Sequence, residues 1–87
     1  MSEKKELVGK ITHYFSKIGV AIVELKEDLK VGDEISIEGK NTKFAQKVES
    51  MQVQHVNVPQ AKAGESIGLK IVDRAREGDE VYRVVKP

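Results

Sequence analysis

Glycine punctuates this chain at short intervals. Brief stretches of alternating apolar and polar residues are separated by turns centred on Gly32, Gly39, Gly64 and Gly78, and no apolar i, i+3, i+4 pattern persists beyond about two helical turns. A sequence with that punctuation cannot bury its apolar residues along helices. It has to pair strands and curl them around a shared interior, so the pattern predicts an all-β fold, a small antiparallel barrel of six or seven strands.

The individual strands can be placed from their alternation. Residues 7–15 read as a first strand and residues 18–25, IGVAIVEL, as a second; Ile18, Val20 and Ile22 alternate there with Gly19, Ala21 and Val23. Both faces of the second strand are apolar, so it is expected to be covered on both sides or to line a tight barrel wall. DEISIEG predicts a third strand with Ile35 and Ile37 inward and Glu34, Ser36 and Glu38 outward. Residues 42–58 are too long for one flat strand, and their apolar phase changes, which calls for a bulge or bend between Val48 and Met51. Pro59 ends that run. SIGLKIV, with Ile67, Leu69 and Ile71 inward, and VYRVV complete the set.

At 87 residues the chain has room for one small core, and the expected division is a disordered tail over residues 1–6 and a single β-barrel domain over residues 7–87. No apolar run approaches the roughly 20 residues of a membrane span, and the MSEKKEL start lacks an apolar signal region, so the expectation is a cytoplasmic protein with no membrane partner. There is no Cys and hence no disulfide framework or thiolate chemistry. Fifteen basic residues against 14 acidic ones give a net charge of +1, too small to attract nucleic acid at long range; any such binding has to come from a local patch.

Three features carry candidate chemistry. Gly64-Glu65-Ser66-Ile67-Gly68 matches G-x-S-x-G, but a nucleophile elbow needs a strand-turn-helix junction with its Asp and His later in the chain. Here an alternating strand follows, and His13 and His55 both precede Ser66, so Ser66 is expected to be structural. Two isolated histidines without HxxxH or HExxH spacing do not form a metal site, and no carboxylate pair stands out. The expectation is therefore a non-enzyme with no catalytic residue, metal or cofactor.

The third feature is basic. Lys40, Lys43 and Lys47 lie in an acid-free window around Phe44, and Lys10, His13, Tyr14, Phe15 and Lys17 cluster at an expected hairpin tip. Cations beside aromatic rings on a small barrel suit RNA through phosphate contacts and stacking. For the first cluster, lysines along a solvated strand edge, which deter edge-to-edge pairing, are the favoured account given the weak charge balance. One further pattern recurs: Gly32-Asp33, Gly64-Glu65 and Gly78-Asp79 each set a Gly and an acid before an apolar strand, which predicts the same turn geometry three times.

The ordered series VGKITHYF, GVAIVEL, LKVGDEISI, KVESMQVQH, AKAGESIGLKI and REGDEVY resembles the second, β-barrel domain of translational GTPases of the elongation factor Tu type. It is also similar to the small C-terminal barrel appended to collagenase-like peptidases and related tRNA-modifying enzymes, to which the THYF and ESMQ segments are closer still. A stand-alone elongation-factor-like protein fits both resemblances. The first implies a translation-related, non-catalytic module contacting tRNA or the ribosome through Lys10, His13, Lys43, Lys47, Gln52 and His55. Gln52 stands where elongation factors carry an acid against the terminal adenine. No GxxxxGK[ST] loop is present, so GTP binding is not implied. The second resemblance implies an alternative, a protein-interaction module that docks on a peptidase-like or tRNA-modifying enzyme through an exposed patch at Tyr14, Phe15 and Ile18.

Overall fold

The computed structural model describes residues 4–85. It contains ten strands and no helix: β1 (Lys4–Phe15), β2 (Val20–Leu25), β3 (Leu29–Lys30), β4 (Glu34–Glu38), β5 (Lys43–Lys47), β6 (Met51–Val53), β7 (Val56–Asn57), β8 (Gln60–Ala61), β9 (Ser66–Lys70) and β10 (Glu80–Val85). Eight of them form one antiparallel sheet in the order β5-β4-β10-β1-β2-β9-β6-β7, and β3 pairs with β8 in a separate ribbon. The all-β, antiparallel expectation holds.

Only Val48, Glu49 and Ser50 separate β5 from β6, although β5 lies at one end of the sheet order and β6 one strand from the other. A linker that short spans little more than about 10 Å at full extension, so the two ends of the sheet must come together. The sheet rolls up, helped by register shifts in β1 between Leu7 and Gly9 and between Ile11 and His13, which sharpen its twist. Gly9 sits at a close approach of β1 to β2: a Cβ there would meet Val23 Cγ1 at 2.6 Å and the Glu24 carbonyl oxygen at 2.8 Å.

The barrel of six or seven strands expected from the sequence is matched only in its antiparallel, all-β character: ten short strands are formed, and no closed barrel is found among the described residues. Among the described residues no backbone ladder joins β5 to the far end of the sheet. The seam is crossed instead by the Gln46 side chain, whose Nε2 donates to the Lys70 carbonyl at 2.9 Å and whose Oε1 accepts the Val72 N–H at 2.7 Å.

Three further expectations are corrected. The tail assigned to residues 1–6 is partly strand, because Lys4, Lys5 and Glu6 pair with Val85, Val84 and Arg83; residues 1–3 lie outside the described residues. The run over residues 42–58 breaks between Val48 and Met51, where a bulge or bend was expected, but it is divided into three separate strands rather than two halves. It leaves the sheet after Lys47, where the Val48 N–H donates to the Asp33 carbonyl, and it reverses in a two-residue turn at Gln54 and His55. Ser36 keeps the outer face it shares with Glu38 but is buried there rather than solvated; its hydroxyl donates to Glu38 Oε2 at 2.8 Å, which satisfies the buried oxygen.

The core is continuous through the roll. Val8, Ile11, Ala21, Val23, Leu25, Ile35, Ile37, Val48, Met51, Ile67, Leu69, Ile71 and Val81 are all buried, with Leu29 and Ala61 of the β3/β8 ribbon packed into the same cluster. The inward assignments for Ile35, Ile37, Ile67, Leu69 and Ile71 agree with this.

The threefold glycine-acid pattern is one turn used three times. Gly32, Gly64 and Gly78 have φ of 98°, 91° and 94°, a region open to glycine and strained for other residues. In each turn the acid after the glycine donates its N–H to the carbonyl three residues back: Asp33 to Lys30, Glu65 to Lys62, Asp79 to Arg76. Each carboxylate then accepts the N–H of that same residue, at 3.1, 2.7 and 2.9 Å respectively. The acid thus closes the turn from both ends, which explains the recurring glycine-acid pair whose acid falls three residues after Lys30, Lys62 and Arg76.

Candidate functional site

The second strand explains where the surface becomes unusual. Ala21, Val23 and Leu25 of β2 face the core, but the opposite face, Val20 and Ile22, is not covered by another layer as expected. It is left half-open, continued by Gly68 of β9, which pairs with Ile22, and becomes the floor of a groove. Phe15 and Ile18 of the β1–β2 hairpin form one wall, with 43% and 60% of their surface exposed. Gln52, Gln54, His55 and Ser66 form the other.

Gly68 makes the groove concave. Its Cβ, if present, would lie 3.5 Å from Val20 Cγ1 and 3.9 Å from Ile22 Cδ1, in ordinary contact, so the position has room for a methyl group yet carries none. The far wall is held up by the β6–β7 turn. Val53 pairs with Val56, and the two residues between them, Gln54 and His55, both have positive φ, 51° and 67°. This is the type I′ pattern, which Asn-Gly adopts readily and which costs other residues roughly 1 kcal/mol or more each. Two large polar side chains therefore occupy a turn whose backbone disfavours them, and both line the groove. Gln52 is fixed on the same wall by its Nε2 donating to Asn57 Oδ1 at 3.1 Å.

The rim carries amide, imidazole and hydroxyl groups but no carboxylate or ammonium. Its volume, about 270 Å³, is below the range typical of sites that enclose a drug-sized ligand. A groove of that size and polarity suits one or two apolar side chains with neutral hydrogen-bonding groups beside them. Ser66 lies on the rim, at the start of a strand as expected. Among the described residues no group of three or more His, Cys, Asp or Glu is placed to hold a metal ion.

The residues singled out in the sequence are redistributed by the fold. Gln52 and His55 join Phe15 and Ile18 in one groove, although they were assigned to different partners. Tyr14 does not line that groove; half-buried against the core cluster, it meets Phe15 and Ile18 in a separate shallow hollow at the hairpin tip with Ser16 and Lys17. Lys43 lies with Tyr14 and Phe44 in a second groove. His13 is at the hairpin, its Nδ1 3.1 Å from Glu77 Oε2 and its ring 4.4 Å from that of Phe15, outside both grooves. Lys10 is exposed on β1 and paired in register with Glu24 and Glu80; Lys47 is exposed at the end of β5. The six proposed RNA contacts thus line no single groove. Val20, Ile22, Gln54 and Gly68 were not singled out for function, and the only signal for them was the two-faced apolar character of β2.

No protein-family model matches the chain. It is 44% identical over 80 residues, 91% of its length, to an uncharacterized protease of Methanocaldococcus jannaschii, and 37% identical over 87 residues, 98% of its length, to a collagenase of Porphyromonas gingivalis. It spans 20% and 24% of those two proteins, so it corresponds to a segment of each. The C-terminal domain of a U32 peptidase of Geobacillus thermoleovorans has the same fold, with a TM-score of 0.84 over 90% of this chain and 91% of that one, at 18% identity. The chain is homologous to a segment of collagenase-like proteins, and the collagenase-like resemblance is the one that holds. The translation-related, elongation-factor-like reading is overturned by these relatives. Rolled antiparallel sheets with glycine turns produce similar strand series in unrelated functional settings, so the likeness to the elongation-factor barrel was one of strand order rather than of function.

Proposed function

We propose that this chain is a non-catalytic, polypeptide-binding module that works with a collagenase-like peptidase and docks on it through the groove between Phe15, Ile18 and the turn at Gln54 and His55. The observation that carries this reading is the pairing of an uncovered apolar floor at Val20 and Ile22 with a wall held in strained backbone. A domain this small gains by burying every apolar side chain it can, and strain of this kind persists where the surroundings fix it, commonly at sites of use. The homology to segments of a protease and a collagenase supports a peptidase as the partner.

The neutral rim implies a contact driven by apolar burial rather than by charge. Titrating the chain into a collagenase-like peptidase lacking the matching segment tests it. Saturable binding that survives high salt and nuclease, and that weakens in Phe15→Ala with Ile18→Ala, is the expected result. No binding, or binding indifferent to both changes, sinks the proposal.

A further inference from the structure

A second groove lies on the other side of the hairpin tip and shares no residue with the first. Its walls are Tyr14 at the end of β1, Asn41, Thr42, Lys43 and Phe44 entering β5, and the segment from Asp73 to Arg76 that follows β9. Three cations, Lys43, Arg74 and Arg76, meet there, all exposed, with one acid. Among the described residues neither the Arg74 nor the Arg76 guanidinium has an ion-pair partner, and the Asp73 carboxylate is taken up by the Arg74 backbone N–H at 2.7 Å. Arg83, which lies outside this groove, is by contrast engaged: it lies 3.5 Å from Glu6 and 3.7 Å from Asp33 and donates to the Asp28 carbonyl.

We propose that this groove is a docking site for an acidic polypeptide segment, with its carboxylates on the Arg74 and Arg76 guanidiniums and its chain resting against Tyr14 and Phe44. Guanidinium is the side chain best matched to carboxylate, through two parallel N–H···O bonds. Thr42 and Ala75 are buried and make a fixed floor, so the cations are presented from an ordered surface.

A nucleic acid fits the same groove less well for two reasons. Single-stranded nucleic acid needs exposed ring faces on which bases stack, whereas Tyr14 and Phe44 are half-buried and packed against the core. It also needs a field that attracts a continuous line of phosphates, and the chain has a net charge of only +1 with Asp73 inside the groove. A few carboxylates on a polypeptide require neither.

The test is fluorescence anisotropy with a labelled peptide of alternating Glu and Leu at low ionic strength, with a uridine homopolymer as competitor. Arg74→Glu combined with Arg76→Glu is expected to lower peptide affinity by about tenfold or more, with an unchanged circular dichroism spectrum. Lys17→Glu, an exposed charge outside the groove, should leave affinity within about twofold. Arg74→Lys with Arg76→Lys keeps the charge but loses the fork, and should weaken binding by an intermediate amount. The proposal is overturned by absence of saturable peptide binding, by equal affinity in the Glu variant, or by a homopolymer that binds more tightly than the peptide and displaces it.

Discussion

Gln46 binds Lys70 across the open seam of the sheet, its Nε2 donating to the Lys70 carbonyl at 2.9 Å while its Oε1 accepts the Val72 N–H at 2.7 Å. One side-chain amide here does what a strand pairing would do in a closed barrel, supplying a donor and an acceptor to two backbone groups in succession. Gln46→Ala leaves both groups to solvent. Because the seam is partly exposed, the cost should fall in the usual range for net hydrogen-bond loss, about 1–2 kcal/mol in all. That corresponds to a melting temperature lower by roughly 4–16 °C in a domain of this size. Hydrogen exchange should quicken at the Val72 amide specifically; an unchanged Val72 rate would show that the seam holds without Gln46.

Gly39 and Gly68 should respond in opposite ways to the same substitution. A Cβ on Gly39 would run into the Asp79 carboxyl group, which is buried and already accepts the Arg76 N–H. Gly39→Ala is therefore expected to cost about 1–3 kcal/mol through steric strain and displacement of that carboxylate. Gly68→Ala meets only ordinary contacts and should be neutral or slightly stabilising. It also partly fills the groove, so weaker docking at undiminished stability is expected. Chemical denaturation of both variants checks the contrast.

The β6–β7 turn predicts a trade between stability and binding. Replacing Gln54 and His55 by Asn and Gly relieves backbone strain at φ 51° and 67° and should raise stability by about 1 kcal/mol. The same replacement removes two side chains from the groove wall, and affinity for the peptidase partner should fall. A variant that gains stability without losing affinity would detach the turn from function.

The three glycine-acid turns should rank by burial. Asp79→Ala opens a buried position and orphans the Arg76 N–H, at about 1–3 kcal/mol. Glu65→Ala removes the equivalent bond to the Lys62 N–H, but at an exposed turn where water replaces it, and should cost less than 1 kcal/mol. Equal costs in urea titrations would contradict the role given to burial.

Two groups give the stability a direction with pH. The Glu38 carboxyl is held below its ordinary value of 4.5, first by the hydrogen bond from Lys5 and then by that from Ser36. Its contribution is present above that value and is lost as pH falls through the lowered one. The Tyr82 hydroxyl is held above its ordinary value of 10.0, chiefly by donating to Glu80. Its contribution is present below that value and is lost as pH rises through the raised one. Melting temperature should decline at both extremes, and Glu38→Gln should flatten the acid limb while Tyr82→Phe flattens the alkaline one.

What the sequence by itself determined was local and repetitive. The alternation of Ile35 with Ile37 and of Ile67, Leu69 and Ile71 specified which face of each strand is inward, because the side-chain period of a strand is fixed at two. The turns at Gly32, Gly64 and Gly78 were legible because each needs a glycine at positive φ and an acid to cap it. The turn at Gln54 and His55 was not legible, because neither residue favours the conformation it adopts. Tertiary structure alone decided that residues 42–58 cross from one end of the sheet to the other, that a side chain rather than a ladder spans the seam, and that Gln52 and His55 share a groove with Phe15 and Ile18. These depend on how far the sheet curls before its ends meet, a quantity set by the sum of twist and bulges over eight strands rather than by any one segment. The outer face of β2 shows the division most clearly: its apolar residues were plain in the sequence, but that nothing covers them is a property of the whole fold.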